Sequence, residues 1–292
     1  MEILMVRIFW LRRLCILLLC SVGFSAQNMS QSYAEDLDQS PANSSALEFY
    51  TENFPPYNYL ENGVLKGVAS DTIRELAAEV GEEPDISVMA WPRAYKMAQE
   101  KPGRAIFSMV RTPEREAQFQ WVGPLHTIRL ALYSASGNAW RYKGSNAENL
   151  EVAKRVHTIS VQFKGAGYEI LKSQGFDNLS PIQDIGESFS LLLNRRHDLM
   201  QMSDAYVDYM IEQKIISAEE ITQIAVLGEF DIYLAFSNMT AEVVVERWRR
   251  ALAVLKKKQE NVEQTGSHID IGIVQDQSSG LTDPSGLKSA DL

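Results

Sequence analysis

Short runs of alternating apolar and polar residues, separated by segments with helical spacing, dominate the middle of the chain. Residues 46–51 alternate like a β-strand. Ser70 or Asp71 can cap a helix whose apolar residues recur every three or four positions until Gly81 ends it. The same patterns predict further strands at 86–90, 104–110, 129–134, 157–162, 179–182, 199–202 and 232–236, and helices at 92–99, 166–174, 188–196, 205–213 and 240–258.

Strands that alternate with helices predict an α/β fold rather than an all-β one. Two similar α/β units are joined by extended segments, so we expect two lobes that form a clamp, with ligand in the crevice at the carboxyl ends of the strands. The crossover segments predict a hinge near 133–135 and 227–230, where Gly228 can absorb a backbone rotation. The predicted divisions are a first lobe at 46–134, a second lobe at 135–227, a return to the first lobe at 228–260 and a flexible tail at 261–292.

The N-terminus has the pattern of an export signal at 1–26. Three arginines at 7, 12 and 13 precede an uncharged apolar run at 14–24, and Ser25 and Ala26 follow where a signal peptidase could cut. An uncleaved membrane anchor and a lipoprotein with Cys20 at its N-terminus are the alternatives. The polar residues 27–45 are predicted to form a linker, and the mature protein is expected to be soluble in the periplasm.

Composition and charge exclude several classes of protein. With 45% hydrophobic residues the chain is neither disordered nor collagen-like, and its net charge of −10 argues against a nucleic-acid partner. Both cysteines, Cys15 and Cys20, lie in the predicted signal, so the mature chain can form no disulfide. The four histidines show no ligand spacing, and no phosphate-binding glycine loop or nucleophile motif is present. We therefore expect no metal, no cofactor and no enzymatic activity.

Several segments have a pattern in common with a known family: 54–57, 67–71, 108–115 followed by Phe119, 158–162 with Gly165, and 194–198 followed by Asp204. Through these segments the chain is similar, from about residue 46 to 258, to the type II periplasmic solute-binding proteins, within them the polar amino-acid family (family 3) that serves ABC importers. Departures from the family pattern at Val110, at Ala166–Gly167 and in the longer spacing from Asp198 to Asp204 count against an ordinary α-amino acid as the ligand.

This resemblance implies a two-lobed type II fold and a monomer that captures a small polar ligand between its lobes and delivers it to an inner-membrane ABC permease. The expected ligand is an amino acid or a related carboxylate or amine. A protein that presents its ligand to a membrane receptor is the alternative. A dehydratase that uses a cleft carboxylate is a third reading, because some relatives on this fold, such as cyclohexadienyl dehydratases, catalyse eliminations.

Arg115 is the first candidate for ligand binding. Its guanidinium can grip a carboxylate with two hydrogen bonds, although on chemistry alone a surface pairing with Glu114 or Glu116 is equally plausible. The resemblance favours the ligand, with Arg111 as a competitor for the role. Ser108, at the end of its strand, could donate a hydrogen bond from its hydroxyl to the ligand. Alternatively, its hydroxyl could be hydrogen-bonded within the strand and have no role in binding.

Aromatic residues supply the next candidates. Phe54 and Tyr57 lie in a loop stiffened by two prolines, where they could stack on a ligand or contact its ammonium. Tyr59 is assigned to the core. Trp91 could form a second wall of the site or pack in the core.

The second lobe contributes three candidates. Asp204, at a strand-to-helix junction, could pair with a ligand ammonium, could cap the following helix, or could do both. Gln162 and Tyr168 are the weaker candidates on this side of the predicted cleft.

Overall fold

The computed structural model of the protein describes residues 47–266. Its first part alternates strands and helices and ends before the first long strand: β1 (Glu48–Thr51), β2 (Tyr59–Glu61), β3 (Val64–Lys66), α1 (Val68–Val80), β4 (Asp85–Val88), α2 (Trp91–Gln99) and β5 (Arg104–Val110). The remainder comprises β6 (Phe119–Ala135), α3 (Asn146–Ala153), β7 (Ile159–Gln162), α4 (Ala166–Ser173), β8 (Leu179–Ile182), α5 (Glu187–Leu193), β9 (Leu199–Ser203), α6 (Asp204–Glu212), β10 (Ile221–Ser237) and α7 (Glu242–Gly266), with short 3-10 helices at Glu116–Gln118 and Ser136–Arg141.

Eight of the strands form one sheet in the order β4-β1-β5-β10-β6-β9-β7-β8, and β2 and β3 form a separate hairpin. The pairs β1–β4, β1–β5, β7–β8 and β7–β9 are parallel, whereas β6 and β10 run antiparallel to each other and to their outer neighbours. Each end of the sheet therefore repeats the same arrangement, which confirms the predicted α/β fold.

The strands β6 and β10, 17 residues each, connect the two ends of this sheet. The late part of β10 pairs with β5, through Ile232 against Val110, and we call that end with its helices the first lobe. Residues 130–134 of β6 pair with β9, and that end is the second lobe. Thr127 and Ile128 pair only with Asp231 and Phe230, so this segment lies between the lobes.

Helices cover both faces of the sheet in the first lobe. On one face Phe49, Phe236 and Trp248 meet under α1 and α7, with ring centroids 5.0 Å apart for Phe49 and Trp248 and 5.8 Å for Phe236 and Trp248. Trp248 is fully buried because α7 places it on one apolar stripe with Val245 and Leu252. On the other face, α2 packs against the fully buried Ile106 and Met109.

The second lobe has the same layered construction with smaller helices. Leu132, Ile159 and Leu199 are fully buried on one face of its strands, while Met200 and Phe189 pack on the other. This packing holds the strand ends that carry the site described below.

Several element boundaries differ from those predicted. β6 begins at Phe119 rather than near residue 129, and β10 begins at Ile221 rather than near residue 232. The polar stretch after residue 135 contains α3, whose Ser145 and Glu148 form a reciprocal capping box that stabilises a helix with little amphipathic pattern. α7 continues from the predicted end near 258 to Gly266, so residues 261–266, predicted to belong to the tail, are helical.

The predicted signal at 1–26, the linker at 27–45 and most of the predicted tail lie outside the described residues. Within residues 47–266, no helix is long and apolar enough to cross a membrane.

Candidate functional site

A cavity of about 60 Å³ lies between the two lobes, where the strands of both end. Its wall mixes aliphatic and aromatic side chains with a few polar groups, which is typical of small-molecule sites. The lining residues are Glu52, Phe54, Trp91, Ser108, Val110, Arg115, Ile128, Leu130, Gln162, Ala166, Gly167, Ile185, Gln201, Met202 and Ser203.

Ser108 reaches the cavity because β5 carries a bulge there. Ile106 pairs with Ala235 and Met109 with Tyr233, so two residues of β5 oppose one residue of β10. Ser108 has a φ of 60°, a left-handed conformation that costs a non-glycine residue energy and that clusters at functional sites. Its hydroxyl donates to the side-chain oxygen of the buried Asn58.

The loop with two prolines holds Phe54 against the cavity. Phe54 stacks on Tyr57, with ring centroids 5.3 Å apart and an interplanar angle of 20°. The first backbone amides of α1 fix this loop, because Ala69 N donates to the carbonyl oxygen of Tyr57 at 2.9 Å. Helix-terminal N–H groups that have no partner inside the helix are satisfied in this way.

Gly67 permits this close approach, so Gly67→Ala is expected to destabilise the protein by about 3 kcal/mol or more. Its φ is +113°, and a Cβ atom there would lie 2.4 Å from the carbonyl oxygen of Tyr57. Gly63→Ala is the matched control, since Gly63 also has a positive φ but has nothing within 4 Å of a Cβ, and it should cost only about 1–2 kcal/mol. Urea denaturation measures both, and equal losses would show that the backbone contact at Gly67 is unimportant.

Arg115 is the largest buried charged side chain in the cavity, with 1% of its surface exposed. Its Nη1 donates to the carbonyl oxygen of Val110 at 3.2 Å, and its Nη2 donates to the carbonyl oxygen of Lys164 at 2.9 Å. Nε and Nη2 also donate to Oε1 of Glu169, at 3.1 and 2.9 Å. The surface pairing with Glu114 or Glu116 that the sequence left open is therefore not formed.

Glu169 reaches Arg115 from the second lobe, where it lies in the first turn of α4. Its second oxygen, Oε2, accepts a hydrogen bond from the Thr112 hydroxyl at 2.8 Å. Both oxygens of this carboxylate are thus held by first-lobe donors. A carboxylate of the chain occupies the position on Arg115 that was predicted for a carboxylate of the ligand.

A second contact between the lobes involves Trp91 and Lys164. Trp91 Nε1 donates to the carbonyl oxygen of Lys164 at 2.8 Å, and the Arg115 guanidinium lies 5.4 Å from the centre of the Trp91 ring. Lys164 has a φ of 57°, a left-handed conformation that places its carbonyl in reach of two first-lobe donors. Trp91 is 3% exposed, so it both packs in the core and lines the cavity.

Glu52 follows β1 and lines the cavity without a salt bridge to any described residue, although the charge of Arg115 acts on it from a distance. Its Oε2 accepts a hydrogen bond from Nε2 of Gln162, which comes from β7 of the second lobe. Loss of hydration on burial raises the pKa of Glu52 to about 8, against a lowering by the Gln162 hydrogen bond, and the nearby charge of Asp184 adds to the rise. Burial in this cavity therefore favours the protonated form of Glu52.

The structure brings five of the nine predicted site residues to the cavity: Phe54, Trp91, Ser108, Arg115 and Gln162. The other four do not line it. Tyr57 is 8% exposed and packs behind Phe54, and Tyr168 packs against the core of the second lobe.

Arg111 and Asp204 do not line the cavity and form ion pairs elsewhere. Arg111 pairs with Glu116 and lies 5.5 Å from the centre of the Trp121 ring, outside the cavity. Asp204 pairs with Arg129 at 3.0 Å and accepts a hydrogen bond from the Tyr133 hydroxyl at 2.7 Å. The cap of α6 is Ser203 rather than Asp204, because the Ser203 hydroxyl accepts from the backbone of Tyr206.

Four polar residues of the site were not singled out from the sequence: Glu52, Glu169, Gln201 and Ser203. Glu52 directly follows a predicted strand, and the carboxyl end of a strand in such a fold is where ligands bind, so it could have been found. Nothing local distinguishes Glu169 from a surface residue on the exposed side of a helix. Groups of three or more residues suited to a metal ion are absent from the described part of the chain.

Two lobes joined by two long antiparallel strands, with a polar cavity between them, define the class of two-lobed solute-binding folds. The sequence model of the bacterial extracellular solute-binding proteins, family 3, matches residues 49–265. The chain therefore belongs to this family, as its motifs predicted. A search of curated proteins gave no match.

Solved structures of the same fold include sensors as well as binding proteins. A histidine kinase sensor domain with similarity to periplasmic binding proteins aligns with a TM-score of 0.64 and 16% identity, covering 77% of this chain and 96% of that one. An ancestral arginine-binding protein bound to arginine aligns with a TM-score of 0.63 and 20% identity, covering 75% of this chain and 97% of that one. The arginine-, lysine-, histidine-binding protein ArtJ from Geobacillus stearothermophilus aligns with a TM-score of 0.61 and 16% identity, covering 76% of this chain and 91% of that one.

Proposed function

We propose that the protein captures a small polar solute in the cavity between its lobes and delivers it to an inner-membrane ABC importer. The observation that carries this proposal is the cavity itself, which both lobes line and which contains buried polar groups from each. Solute-binding proteins of the arginine-binding type that share the fold support the same reading. Export to the periplasm and action as a monomer, without chemical change of the solute, belong to this proposal.

Capture requires the lobes to separate, and the strand pairing offers a place for the hinge. We place it at 123–129 of β6 and at 228–231 of β10, between the first-lobe and second-lobe pairings. Gly228 has a φ of +143° beside a register shift of β10, so this part of the strand is already irregular. This position is earlier in β6 than the sequence-based hinge at 133–135, whose residues pair with or adjoin β9.

Closure would be favoured by groups that meet only when the lobes are together. Arg115 with Glu169, Trp91 with the carbonyl of Lys164, and Glu52 with Gln162 all join the two lobes. A ligand that contacts both walls adds to these contacts and shifts the population toward the closed state.

A sensory role is the second candidate function. The alignment with the histidine kinase sensor domain covers almost all of that domain, so the same fold and cavity could present a ligand to a membrane receptor. Permease genes next to the gene of this protein would favour transport, and a receptor gene would favour sensing.

Thermal-shift screening against amino acids, polyamines and small carboxylates, followed by small-angle scattering with each hit, tests the proposal. We expect a hit to raise the melting temperature and to decrease the radius of gyration. Phe54→Ala should abolish the shift, whereas Trp140→Ala, at a side chain that is 64% exposed and outside the cavity, should leave it unchanged. A hit that leaves the radius of gyration unchanged at saturation contradicts the clamp, and a chemically altered ligand contradicts a pure binding role.

A further inference from the structure

The carboxylate position of Arg115 is already filled. Glu169 accepts two hydrogen bonds from Arg115 and one from Thr112, and the remaining guanidinium nitrogen donates to a backbone carbonyl. An incoming carboxylate would have to displace Glu169 from all three donors, which would leave Glu169 without its partner.

The cavity offers such a carboxylate no second cation. Arg115 is the only Lys or Arg among the described residues that line it, and its charge is balanced by Glu169. A free amino acid would therefore bring an anion to a site that has no cation to spare.

Glu52 presents the opposite situation. One of its oxygens accepts from Gln162, while Oε1 has no hydrogen-bond partner among the described residues. The exposed Asp184 adds negative potential near it. A cation entering the cavity would supply the counter-charge that the protein lacks at this point.

A second unpartnered polar group faces the same space. Gln201 lines the cavity and is 5% exposed, yet its side-chain amide makes no hydrogen bond with any described residue. Buried amides are rarely left unpaired in native proteins, so a ligand group is its natural partner. Gly167 leaves room for this side chain, because a Cβ there would lie 1.9 Å from the Gln201 oxygen.

We propose that the cleft binds a small organic ammonium ion that carries no carboxylate, with Glu52 as the anion that pairs with it and Glu169 as a built-in substitute for the missing carboxylate. Gln201 hydrogen-bonds a polar group of the ligand, and Phe54 contacts its carbon atoms. The cavity volume of about 60 Å³ restricts the ligand to a few non-hydrogen atoms unless the lobes close less completely around it. This proposal rests on the proposed binding function and names its ligand class.

Calorimetric titration with matched pairs tests the proposal, each pair being an amine and the α-amino acid that differs from it by one carboxylate. Ethanolamine with serine, putrescine with ornithine and histamine with histidine are suitable probes. For the wild-type protein we expect at least one amine to bind at least about tenfold more tightly than its amino acid. Glu52→Gln should weaken binding of that amine by about tenfold or more, since the counter-charge is lost.

Glu75→Gln is the matched control, because Glu75 is exposed on α1 and does not line the cavity. The Glu75→Gln variant should bind the amine with the affinity of the wild type. Glu169→Ala should free Arg115 and raise the affinity for the amino acid of the pair, which a merely structural Glu169 would not do. If Glu169→Ala fails to fold, the comparison of amines with amino acids in the wild type and the loss of amine affinity in Glu52→Gln still test the proposal.

Two outcomes would overturn the proposal. If the wild type binds the amino acids as tightly as the amines, the ammonium assignment is wrong, while the binding function stands. If no probe binds at millimolar concentration and the broader screen finds only carboxylates, the assignment is again wrong. The binding function fails separately, when no compound of any class binds in the cavity.

Discussion

Replacing Arg115 by methionine is expected to lower the free energy of unfolding by about 3–5 kcal/mol, or roughly 10 °C in melting temperature. Arg115 is 1% exposed and donates to Glu169 and to the carbonyl oxygens of Val110 and Lys164. Methionine fills a similar volume but donates to none of these acceptors. Glu169 would then keep only the hydrogen bond from the Thr112 hydroxyl, and the Lys164 carbonyl only that from Trp91 Nε1. The largest part of the loss comes from Glu169, whose carboxylate is 19% exposed and would keep little hydration.

A double-mutant cycle separates this ion pair from the packing of its side chains. Arg115→Met, Glu169→Met and the double variant are compared by urea denaturation, and the double variant should lose less stability than the two single variants together. A buried pair replaced on both sides by apolar groups often costs little, which is why the coupling is expected to be large. Additive losses would mean that Arg115 and Glu169 do not depend on each other.

The fold was largely predictable because its signals are local. Helical spacing ending at Gly81, and the apolar stripe that buries Trp248, each depend on fewer than about twenty neighbouring residues. The continuity of β6 was not predictable in this way, because 123–129 contains glycine, proline and histidine that resemble a break between two strands. Only pairing with β10 shows that the strand continues.

The site was predictable only in part, because its polar groups are paired across long stretches of sequence. Arg115 was singled out by its motif, yet its partner Glu169 lies 54 residues further on, in another lobe. Arg111 has the same chemistry but is held outside the cavity by Glu116 and Trp121. Residue type and spacing identified the guanidinium, whereas the charge that neutralises it could be found only in three dimensions.

The pairing of Arg115 changes what a family motif means in this chain. Its guanidinium joins the two lobes, through Glu169 and the carbonyl of Lys164. The same residue can therefore stabilise the closed form without any ligand carboxylate. The ionisable group of the cavity that then has no ion-pair partner is Glu52, and its titration should be visible in the stability of the ligand-free protein.

Glu52→Gln is expected to remove a decrease in stability with rising pH that the wild type shows between about pH 4.5 and 8. The pKa of Glu52 is raised from 4.5 to about 8 in the folded protein, chiefly by loss of hydration. In this window the folded state keeps a proton that the unfolded chain has released. The contribution of Glu52 to the free energy of unfolding is thus at its full value below pH 4.5. It falls as pH rises, by about 1.4 kcal/mol for each pH unit and by at most about 5 kcal/mol in all.

The other groups around Glu52 set the size of this effect. Gln162 donates to it from β7 and Arg115 acts on it from the first lobe, and both lower its pKa, whereas Asp184 before α5 raises it. On α6, the pKa of the Tyr206 hydroxyl is raised mainly by burial, and the charge of Glu52 adds to that rise. Since these groups are unchanged in Glu52→Gln, the difference between the two proteins isolates the titration of Glu52.

Urea denaturation of both proteins at intervals from pH 4.5 to 8.5 measures that difference. The two histidines with lowered pKa values, His126 and His197, give a pH dependence of the opposite sign, but it is common to both proteins and cancels. We expect the advantage of Glu52→Gln to be small at pH 4.5, to grow with pH and to level off near pH 8. Glu75→Gln, which alters an exposed carboxylate, should track the wild type throughout. A constant difference between Glu52→Gln and the wild type would show that Glu52 is ionised in the empty cavity, and the site would then hold a permanent negative charge instead of one that develops when a cation enters.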